Sequence, residues 1–467
     1  MTLLLLLVLL LLLALTLLNG DWRTGLLISL AIGFAQDPIR KLTPGQPGLF
    51  VGLALIAFTA SAFCLFNQRR GRLEFPLMFR ARPALVGLVG QFAVLIAFGA
   101  GNGFLRWGNP LRTGIGIGFY LAPLAGLWLG FQLGRDQLFL RRFVQTYLFF
   151  SFLFAITVLL DYSGIDIPLF KEVGGGIRID IMPGLSVFGA SGLWRSSELA
   201  AWHLAASSCL SLSFAASQPA SGARWTYLGY SVAAGLLTIV TGRRKAIVQI
   251  VVFLAIYLWM SSRPGAPLSR ERVLAILLAV AGLAGLVALI GPSELLGDKF
   301  TSFALRASTA TSELGSRFNR QGIDAFWRGL SISDGLGVGV GTLAQTGAAG
   351  ISQVSAGAAG SDFVYVSESG LGKIVAELGI PGLIIVPPLL FQLVRAVWIN
   401  LQLLARSTPA IQTFETGLVA FAASNVLFFS AAAGVYGDPM VLILCGICLG
   451  SVFAAPLLVA QRVSSSS

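Results

Sequence analysis

The segment GRRK at 242–245 places three basic side chains next to one another in a short connection between two apolar stretches. The guanidinium groups of Arg243 and Arg244 can each give two parallel hydrogen bonds to phosphate oxygens, and they stay charged at any working pH. Lys245 adds a further positive charge. The segment therefore predicts an anion-binding site suited to a phosphate or pyrophosphate. Lipid-headgroup anchoring and ion pairing with nearby acids are the alternatives for any single arginine.

Other arginines and one carboxylate could complete such a site. Glu368 precedes an apolar stretch, where its carboxylate could take a proton from a hydroxyl group or hold that hydroxyl in place. The alternative for Glu368 is an ion pair with Lys373 or Arg328. The predicted substrate-contacting arginines outside the GRRK segment are Arg178, Arg195, Arg317, Arg320 and Arg328.

The residue types argue against metal and common hydrolase chemistry. His203 is the one histidine of the chain, and acidic residues do not cluster at the spacing of metal ligands, so a zinc or two-metal site is not predicted. No nucleophile elbow or Ser-His-Asp arrangement is found. We predict that His203, about one helical turn after Glu198, is an interior packing residue, and that the protein needs no metal or cofactor.

Two further patterns are not interpreted as cofactor sites. The run GLGVGVGT at 335–342 looks like a dinucleotide loop, but no strand precedes it and no βαβ unit surrounds it. It predicts a flexible turn whose backbone amides could line an anionic pocket. All the cysteines lie inside apolar stretches, so we expect packing residues rather than a redox pair. They are Cys64, Cys209, Cys445 and Cys448.

The composition fixes the class of protein that must position these residues. Of the 467 residues, 56% are hydrophobic and 11% are charged, whereas a soluble domain carries about 25% charged residues. Glycine and proline are spread through long apolar runs, which favours membrane helices over barrel strands. The formal net charge of +12 implies anionic partners. Nucleic acid is not expected, because no basic soluble domain is present to bind it. Phospholipid headgroups or a lipid-linked phosphate fit better.

We predict an all-α, polytopic membrane protein with about 12–13 transmembrane helices, since a span needs about 20 apolar residues. The second candidate span, 24–35, is too short to cross the membrane perpendicular to its plane. The N-terminal Leu-rich run has no basic region or cleavage site typical of a signal peptide, so we interpret it as a retained first span. The predicted organisation is an N-terminal bundle over 1–291 with an outer loop at 161–198, a large outer loop at 292–369, and C-terminal helices over 370–467. The thirteen candidate spans are approximately 2–18, 24–35, 47–66, 83–100, 113–133, 139–160, 199–216, 223–241, 246–261, 273–291, 370–394, 409–434 and 440–460.

Charge in the loops predicts the orientation. The loops 67–82, 134–142 and 262–272 are rich in arginine and should face the cytoplasm. Alternation then puts the GRRK segment on the outer side, where positive charge is normally depleted. Within the large outer loop, the spacing of apolar residues over 313–330 predicts a short helix lying on the membrane surface.

Four stretches, in family order over 192–383, resemble motifs of the O-antigen ligase and O-antigen polymerase superfamily of bacterial envelope glycosyltransferases. The multi-span architecture is similar over the whole chain. TGRRKA resembles the short Arg-bearing turn of the family, which usually reads Ser-Arg-Gly. The stretches are GLWRSSELAAW (192–202), TGRRKA (241–246), SRFNRQGIDAFWRGL with DGLGVGVGT (316–342) and ESGLGKIVAELGIPGL (368–383).

The resemblance implies metal-independent transfer of a glycan from a lipid pyrophosphate donor at the outer face of the bacterial cytoplasmic membrane. Arg244 matches the arginine of the short turn, and Arg317 matches the arginine that opens the large-loop helix. Ligases of the family typically have a histidine where this chain reads Val366-Ser367-Glu368, so the resemblance favours a polymerase. An Arg-x10-Gly pattern of polymerase outer loops is matched by Arg178 with Gly189 and by Arg328 with Gly339.

These observations combine into one mechanistic expectation. Arg244 and Arg317 would bind the pyrophosphate, supported by Arg243, Lys245 and Arg320, because electrostatic stabilisation is usually the largest contribution to such a reaction. Glu368 would be the general base or would position the acceptor. The expected partners are a polyprenyl-pyrophosphate-linked oligosaccharide, a glycan acceptor, membrane lipids and other polysaccharide assembly proteins.

The alternative function is transport of an anion such as bicarbonate, or of a lipid-linked sugar, through the same basic cavity. A transporter needs polar residues along a path from both faces. The predicted ionisable groups gather at the outer side instead, and this asymmetry favours the enzyme.

Overall fold

The protein is a bundle of long apolar helices. In its computed structural model, nine helices of the described residues are long and apolar enough to cross a membrane, which confirms the predicted polytopic helical class. A small antiparallel hairpin of strands β1 (Arg178–Met182) and β2 (Leu185–Phe188) lies in the segment predicted as the first outer loop. The structure describes residues 2–72, 74–79, 82–173, 178–182, 185–219, 221–262, 315, 319–343, 369–431 and 433–466.

The helices follow the predicted spans closely in most places. The predicted span 273–291 lies outside the described residues. A short π-helix over Asn319–Asp324 leads into α11, where the surface helix was predicted. The helices are α1 (Thr2–Leu18), α2 (Trp22–Leu42), α3 (Leu53–Gln68), α4 (Phe75–Met78), α5 (Pro83–Trp107), α6 (Pro110–Gly134), α7 (Gln137–Tyr162), α8 (Ser197–Ser217), α9 (Gly222–Val240), α10 (Arg244–Ser261), α11 (Ala325–Ile332), α12 (Gly370–Leu404), α13 (Pro409–Ala431), α14 (Pro439–Gly450) and α15 (Ala455–Ser466).

Helix α2 is longer than the apolar stretch that predicted it. It continues to Leu42 through Asp37, Arg40 and Lys41, all of which are buried. The Lys41 ammonium group donates to the backbone oxygens of Leu169 at 3.0 Å and Gly192 at 2.8 Å. Because these polar groups find partners inside the protein, the helix does not have to end where the apolar residues end.

One end of the bundle gathers arginine side chains, and we call it the arginine-rich end. There the Arg135 guanidinium donates to the Glu74 carboxylate at 2.8 Å. Arg23 forms an ion pair of 2.8 Å with Asp136. Arg141 donates to the Ser217 hydroxyl at 3.2 Å. The opposite end holds the start of α8, the α9–α10 turn and the start of α12.

Helix α8 lies at the centre of the bundle. Every residue from Leu199 to Ser217 is buried, and the small side chains of six alanines and five serines let neighbouring helices approach closely. His203 stacks on the Trp194 ring at 5.5 Å between centroids, and its Nδ1 is 3.0 Å from the Tyr147 hydroxyl. The prediction that His203 is an interior packing residue is confirmed.

Helices α6 and α14 pack through glycine. A Cβ atom added at Gly126 would lie 2.4 Å from the Ile443 oxygen, and one at Gly130 would lie 2.3 Å from the Ile447 oxygen. The glycines recur at every fourth position of α6, the spacing of small residues at close helix contacts. Cys448 is buried and free in α14, as its packing interpretation predicted.

Helix α12 contains a break at Gly379, where φ is 62° and ψ is −153°. Only glycine adopts such a backbone conformation readily. The break separates 370–378 from the longer segment 380–404, which at about 1.5 Å per residue is long enough to cross a hydrocarbon layer by itself. The helix begins where the predicted span 370–394 begins and runs ten residues beyond its predicted end.

The glycine run at 335–342 corrects a prediction. Residues 337–343 are buried, so the run is not a flexible surface turn. The amides of Val338 and Gly339 donate to Ala376 and Glu377 of α12, at 2.8 and 3.2 Å. The amide of Val340 donates to the Gly99 oxygen at 3.0 Å. These amides bind protein carbonyls and do not line an anionic pocket.

Candidate functional site

A pocket opens at the opposite end of the bundle, between α8, the α9–α10 turn and α13. About 480 Å³ of space without protein atoms lies between its walls and in the solvent at its open mouth. Its wall carries three cations and a carboxylate together with small and aromatic side chains. The lining residues are Glu198, Ala201, Trp202, Gly242, Arg243, Arg244, Lys245, Ala246 and Phe428.

The α9–α10 turn brings the predicted GRRK segment into this pocket. Helix α9 ends at Val240, whose oxygen accepts the Ala190 amide at 3.2 Å, so the turn is tied to the segment that leads into α8. Helix α10 begins at Arg244, and Arg243 occupies its N-cap position, where a guanidinium group has no acceptor for the first-turn amides. The start of a helix carries partial positive charge and attracts anions. The pocket therefore combines side-chain cations with a helix N-terminus.

The three cations are half-buried, and Arg243 is held in place. Its Nε and Nη2 atoms donate to the Ser197 hydroxyl at 3.0 and 2.9 Å. The Ser197 amide in turn donates to the Glu172 carboxylate. This chain of contacts fixes one guanidinium group at the rim of α8, with Arg244 and Lys245 following in the first turn of α10.

The other wall of the pocket is apolar and belongs to α8 and α13. Trp202 is fixed by a 2.8 Å hydrogen bond from its Nε1 to the Asn425 side chain. Phe428 is partly exposed, and Val426 and Leu427 beside it are 52% and 57% exposed. A ligand with a charged head and an apolar part matches these two walls.

A further helix begins close to the pocket. The Ser369 hydroxyl donates to the Ser430 oxygen at 3.2 Å, which places the start of α12 two residues along α13 from Phe428. Lys373, in the first turns of α12, is mostly buried with its ammonium group 5.1 Å from the centre of the Phe119 ring. The N-termini of α8, α10 and α12 thus surround the same end of α13.

Arg195 does not belong to the pocket, contrary to its predicted contact with substrate. It is buried, and its Nη1 atom lies 3.2 Å from Asp37 and 2.5 Å from Asp438. Burial disfavours the charged guanidinium, but the two carboxylates outweigh it and raise the pKa of Arg195. The ion pairs join α2, the start of α8 and the start of α14, so we assign Arg195 a structural role.

The remaining predicted residues lie elsewhere or outside the described residues. Arg320 and Arg328 are exposed on the π-helix and on α11, and they do not line the pocket as described. Arg178 begins β1, and only its backbone is described. Arg317 and Glu368 fall outside the described residues.

Sequence reasoning missed one polar residue of the pocket and its aromatic wall. Glu198 is the second residue after the N-cap residue Ser196 of α8, and it lines the same pocket as the GRRK cations. The serine before it indicates from sequence that Glu198 lies in the first turn of a helix. The sequence does not indicate that this turn lies next to 242–245, because that is a tertiary contact. Among the described residues, no three His, Cys, Asp or Glu side chains form a group that could hold a metal ion.

Neither the protein-family models nor the curated proteins compared with this chain give a match.

Proposed function

We propose that the protein is a membrane glycosyltransferase that transfers a glycan from a polyprenyl-pyrophosphate donor to a glycan acceptor, as a polymerase or a ligase. The observation that carries this proposal is the placement of Arg243, Arg244 and Lys245 at the N-terminus of α10, in a pocket with an apolar wall. A lipid pyrophosphate has the same two-part character, a dense negative charge joined to an apolar chain.

The cations would bind the pyrophosphate and stabilise it as the leaving group. Guanidinium groups match its oxygens in pairs, and the α10 amides add donors. Negative charge grows on the leaving oxygen as the glycosidic bond to phosphate breaks, and fixed cations lower the energy of that state. Arg317, from the large loop, is proposed to add to this charge, and Glu368 is proposed to position the acceptor or take its proton.

The apolar wall suits the polyprenyl chain. Val426 and Leu427 face outward beside Phe428, so a lipid could pass from the bilayer to the pocket without crossing the bundle. The glycan would extend from the pyrophosphate toward water. No metal is required, because the positive charge comes from side chains and a helix terminus.

We place the reaction on the extracytoplasmic face of a bacterial cytoplasmic membrane. Basic residues near membrane helices stay on the cytoplasmic side, and the arginine-rich end carries Arg69, Arg135 and Arg141. The pocket lies at the opposite end. Its cations go against this rule, as expected if they bind an anionic substrate.

Reconstituted protein tests the proposal. Purified protein in liposomes is given polyprenyl-pyrophosphate glycans extracted from its host, and the products are separated by gel and mass analysis. A ladder of repeat units identifies a polymerase, and a single addition identifies a ligase. Donor that binds but is never consumed contradicts the enzymatic function and supports the alternative, a transporter of an anion or lipid-linked sugar. The same liposomes test transport, because transported donor would appear on the other side of the membrane.

A further inference from the structure

We infer that Glu198 is the general base of this pocket, the group that takes the proton from the acceptor hydroxyl. The inference rests on the proposed function and adds a catalytic residue to it.

Glu198 is the one residue of α8 that is not buried. All others from Ser197 to Ser217 are enclosed by the bundle, whereas Glu198 is partly exposed and lines the pocket. The only accessible side chain of the central helix is therefore a carboxylate, and it faces the bound anion in the proposed reaction.

The carboxylate is not needed to cap α8. The Ser196 hydroxyl accepts the Leu199 amide at 3.3 Å, and the Glu172 carboxylate accepts the Ser197 amide. An acidic residue in a first helical turn is often explained by the helix dipole, which contributes about 0.3–1 kcal/mol. The helix dipole explains why an acidic residue stands in the first turn of α8, but it does not explain why the Glu198 side chain lines the pocket.

Glu198 does not pair with the described cations that line the same pocket. It forms no ion pair or hydrogen bond through its carboxylate within the part of the chain that the structure describes. A carboxylate locked in an ion pair cannot readily accept a proton. Glu198 lines the same pocket as Arg243, Arg244 and Lys245. An acceptor hydroxyl bound in this pocket would lie near both the carboxylate and the cations that hold the pyrophosphate.

The step balances without any further reactant. The acceptor hydroxyl oxygen attacks the anomeric carbon of the donor glycan, and the bond from that carbon to the phosphate oxygen breaks. The lipid pyrophosphate leaves with the bonding electrons and is held by the cations. The hydroxyl proton passes to the Glu198 carboxylate and then to water.

Glu198→Gln tests the inference, because it keeps the shape of the side chain and removes the base. A positioned base contributes about 100-fold or more to rate, so kcat should fall by roughly that factor. The KM for donor and the binding of polyprenyl pyrophosphate should stay within about 3-fold of the unchanged protein, as expected for a group that acts on the acceptor. Glu198→Asp, which keeps a carboxylate, should restore part of the rate.

Asp166→Asn is the matched control, since Asp166 is an exposed carboxylate in an ion pair with Lys171 at the same end of the molecule. It should turn over normally. Glu368→Gln is assayed beside it, because Glu368 is left with positioning the acceptor if Glu198 is the base; loss of kcat in Glu368→Gln with normal kcat in Glu198→Gln would assign the base to Glu368. Normal kcat in Glu198→Gln overturns the inference while leaving the proposed function intact. Equal losses of kcat and donor binding also overturn it, because they assign Glu198 to the shape of the pocket. A protein that binds donor and never consumes it overturns the proposed function as well.

Discussion

Arg195 and Arg243 lie at the same end of the molecule and have opposite surroundings. Arg195 is buried between the carboxylates of Asp37 and Asp438, whereas Arg243 bonds to a neutral hydroxyl and lines an open pocket. The sequence marks both as basic residues of predicted outer segments. It could not separate them, because the acids that neutralise Arg195 lie 158 and 243 residues away along the chain.

Replacing Arg195 by methionine should destabilise the protein strongly. Two carboxylates would be left without their cation, and breaking a buried ion pair in this way costs about 3–5 kcal/mol. Thermal unfolding of the purified protein in detergent measures the effect. Arg23→Met is the matched control, because Arg23 pairs with Asp136 in a partly exposed ion pair that is worth about 0–1 kcal/mol. Similar melting temperatures of the two variants would contradict the structural role of Arg195.

Replacing Arg244 by alanine should abolish most glycan transfer while the protein still inserts and folds. Loss of one donor to the developing negative charge costs about 100- to 1,000-fold in rate. The reconstituted transfer assay measures it. Arg142→Ala removes an exposed arginine of the arginine-rich end and should leave transfer unchanged. Full activity in Arg244→Ala would show that the pocket takes no part in glycan transfer.

Close helix packing depends on glycines whose role is only partly visible in the sequence. The four-residue spacing of Gly126, Gly130 and Gly134 indicates a packed face of α6, but it does not name α14 as the partner. The glycine run at 335–342 was misjudged for a related reason. Its amides bond to α5 and α12, and no local pattern tells that these helices surround it.

Gly130→Ala should destabilise the contact between α6 and α14. The added Cβ would lie 2.3 Å from the Ile447 oxygen, and overpacking of this kind costs about 1–3 kcal/mol. Gly114→Ala is the control on the same helix, where a Cβ meets open space. It should be neutral or slightly stabilising, because alanine favours helix over glycine by about 0.5–1 kcal/mol. Equal thermal stability of both variants would show that the contact tolerates a side chain.

Hydropathy and composition predicted the class of the whole molecule well, because lipid imposes long apolar helices on any chain that crosses it. Most spans matched within a few residues. The misses were at the C-terminal ends of α2 and α12, which run past the predicted spans. In α2, buried polar groups find partners inside the protein and let the helix continue. The contacts that assemble the pocket join segments far apart in sequence and were not predictable from either signal.

The orientation can be tested with single cysteines in a background where the four natural cysteines are replaced. Asp166→Cys lies at the pocket end, and Arg142→Cys lies at the arginine-rich end; both positions are exposed. A membrane-impermeant maleimide added to intact bacterial cells should label position 166 and leave 142 unlabelled until the cells are opened. The reverse pattern would place the pocket in the cytoplasm and contradict the proposed site of transfer.

Binding of polyprenyl pyrophosphate to the purified protein in nanodiscs tests most directly the claim that the GRRK pocket holds a lipid pyrophosphate. A charge-assisted hydrogen bond contributes about 1.5–3 kcal/mol, so the combined variant Arg243→Ala, Arg244→Ala, Lys245→Ala should bind at least about 30-fold more weakly. Arg142→Ala should bind normally, and polyprenyl monophosphate should bind the unchanged protein less tightly. Equal affinity of the unchanged protein and the combined variant would contradict the account.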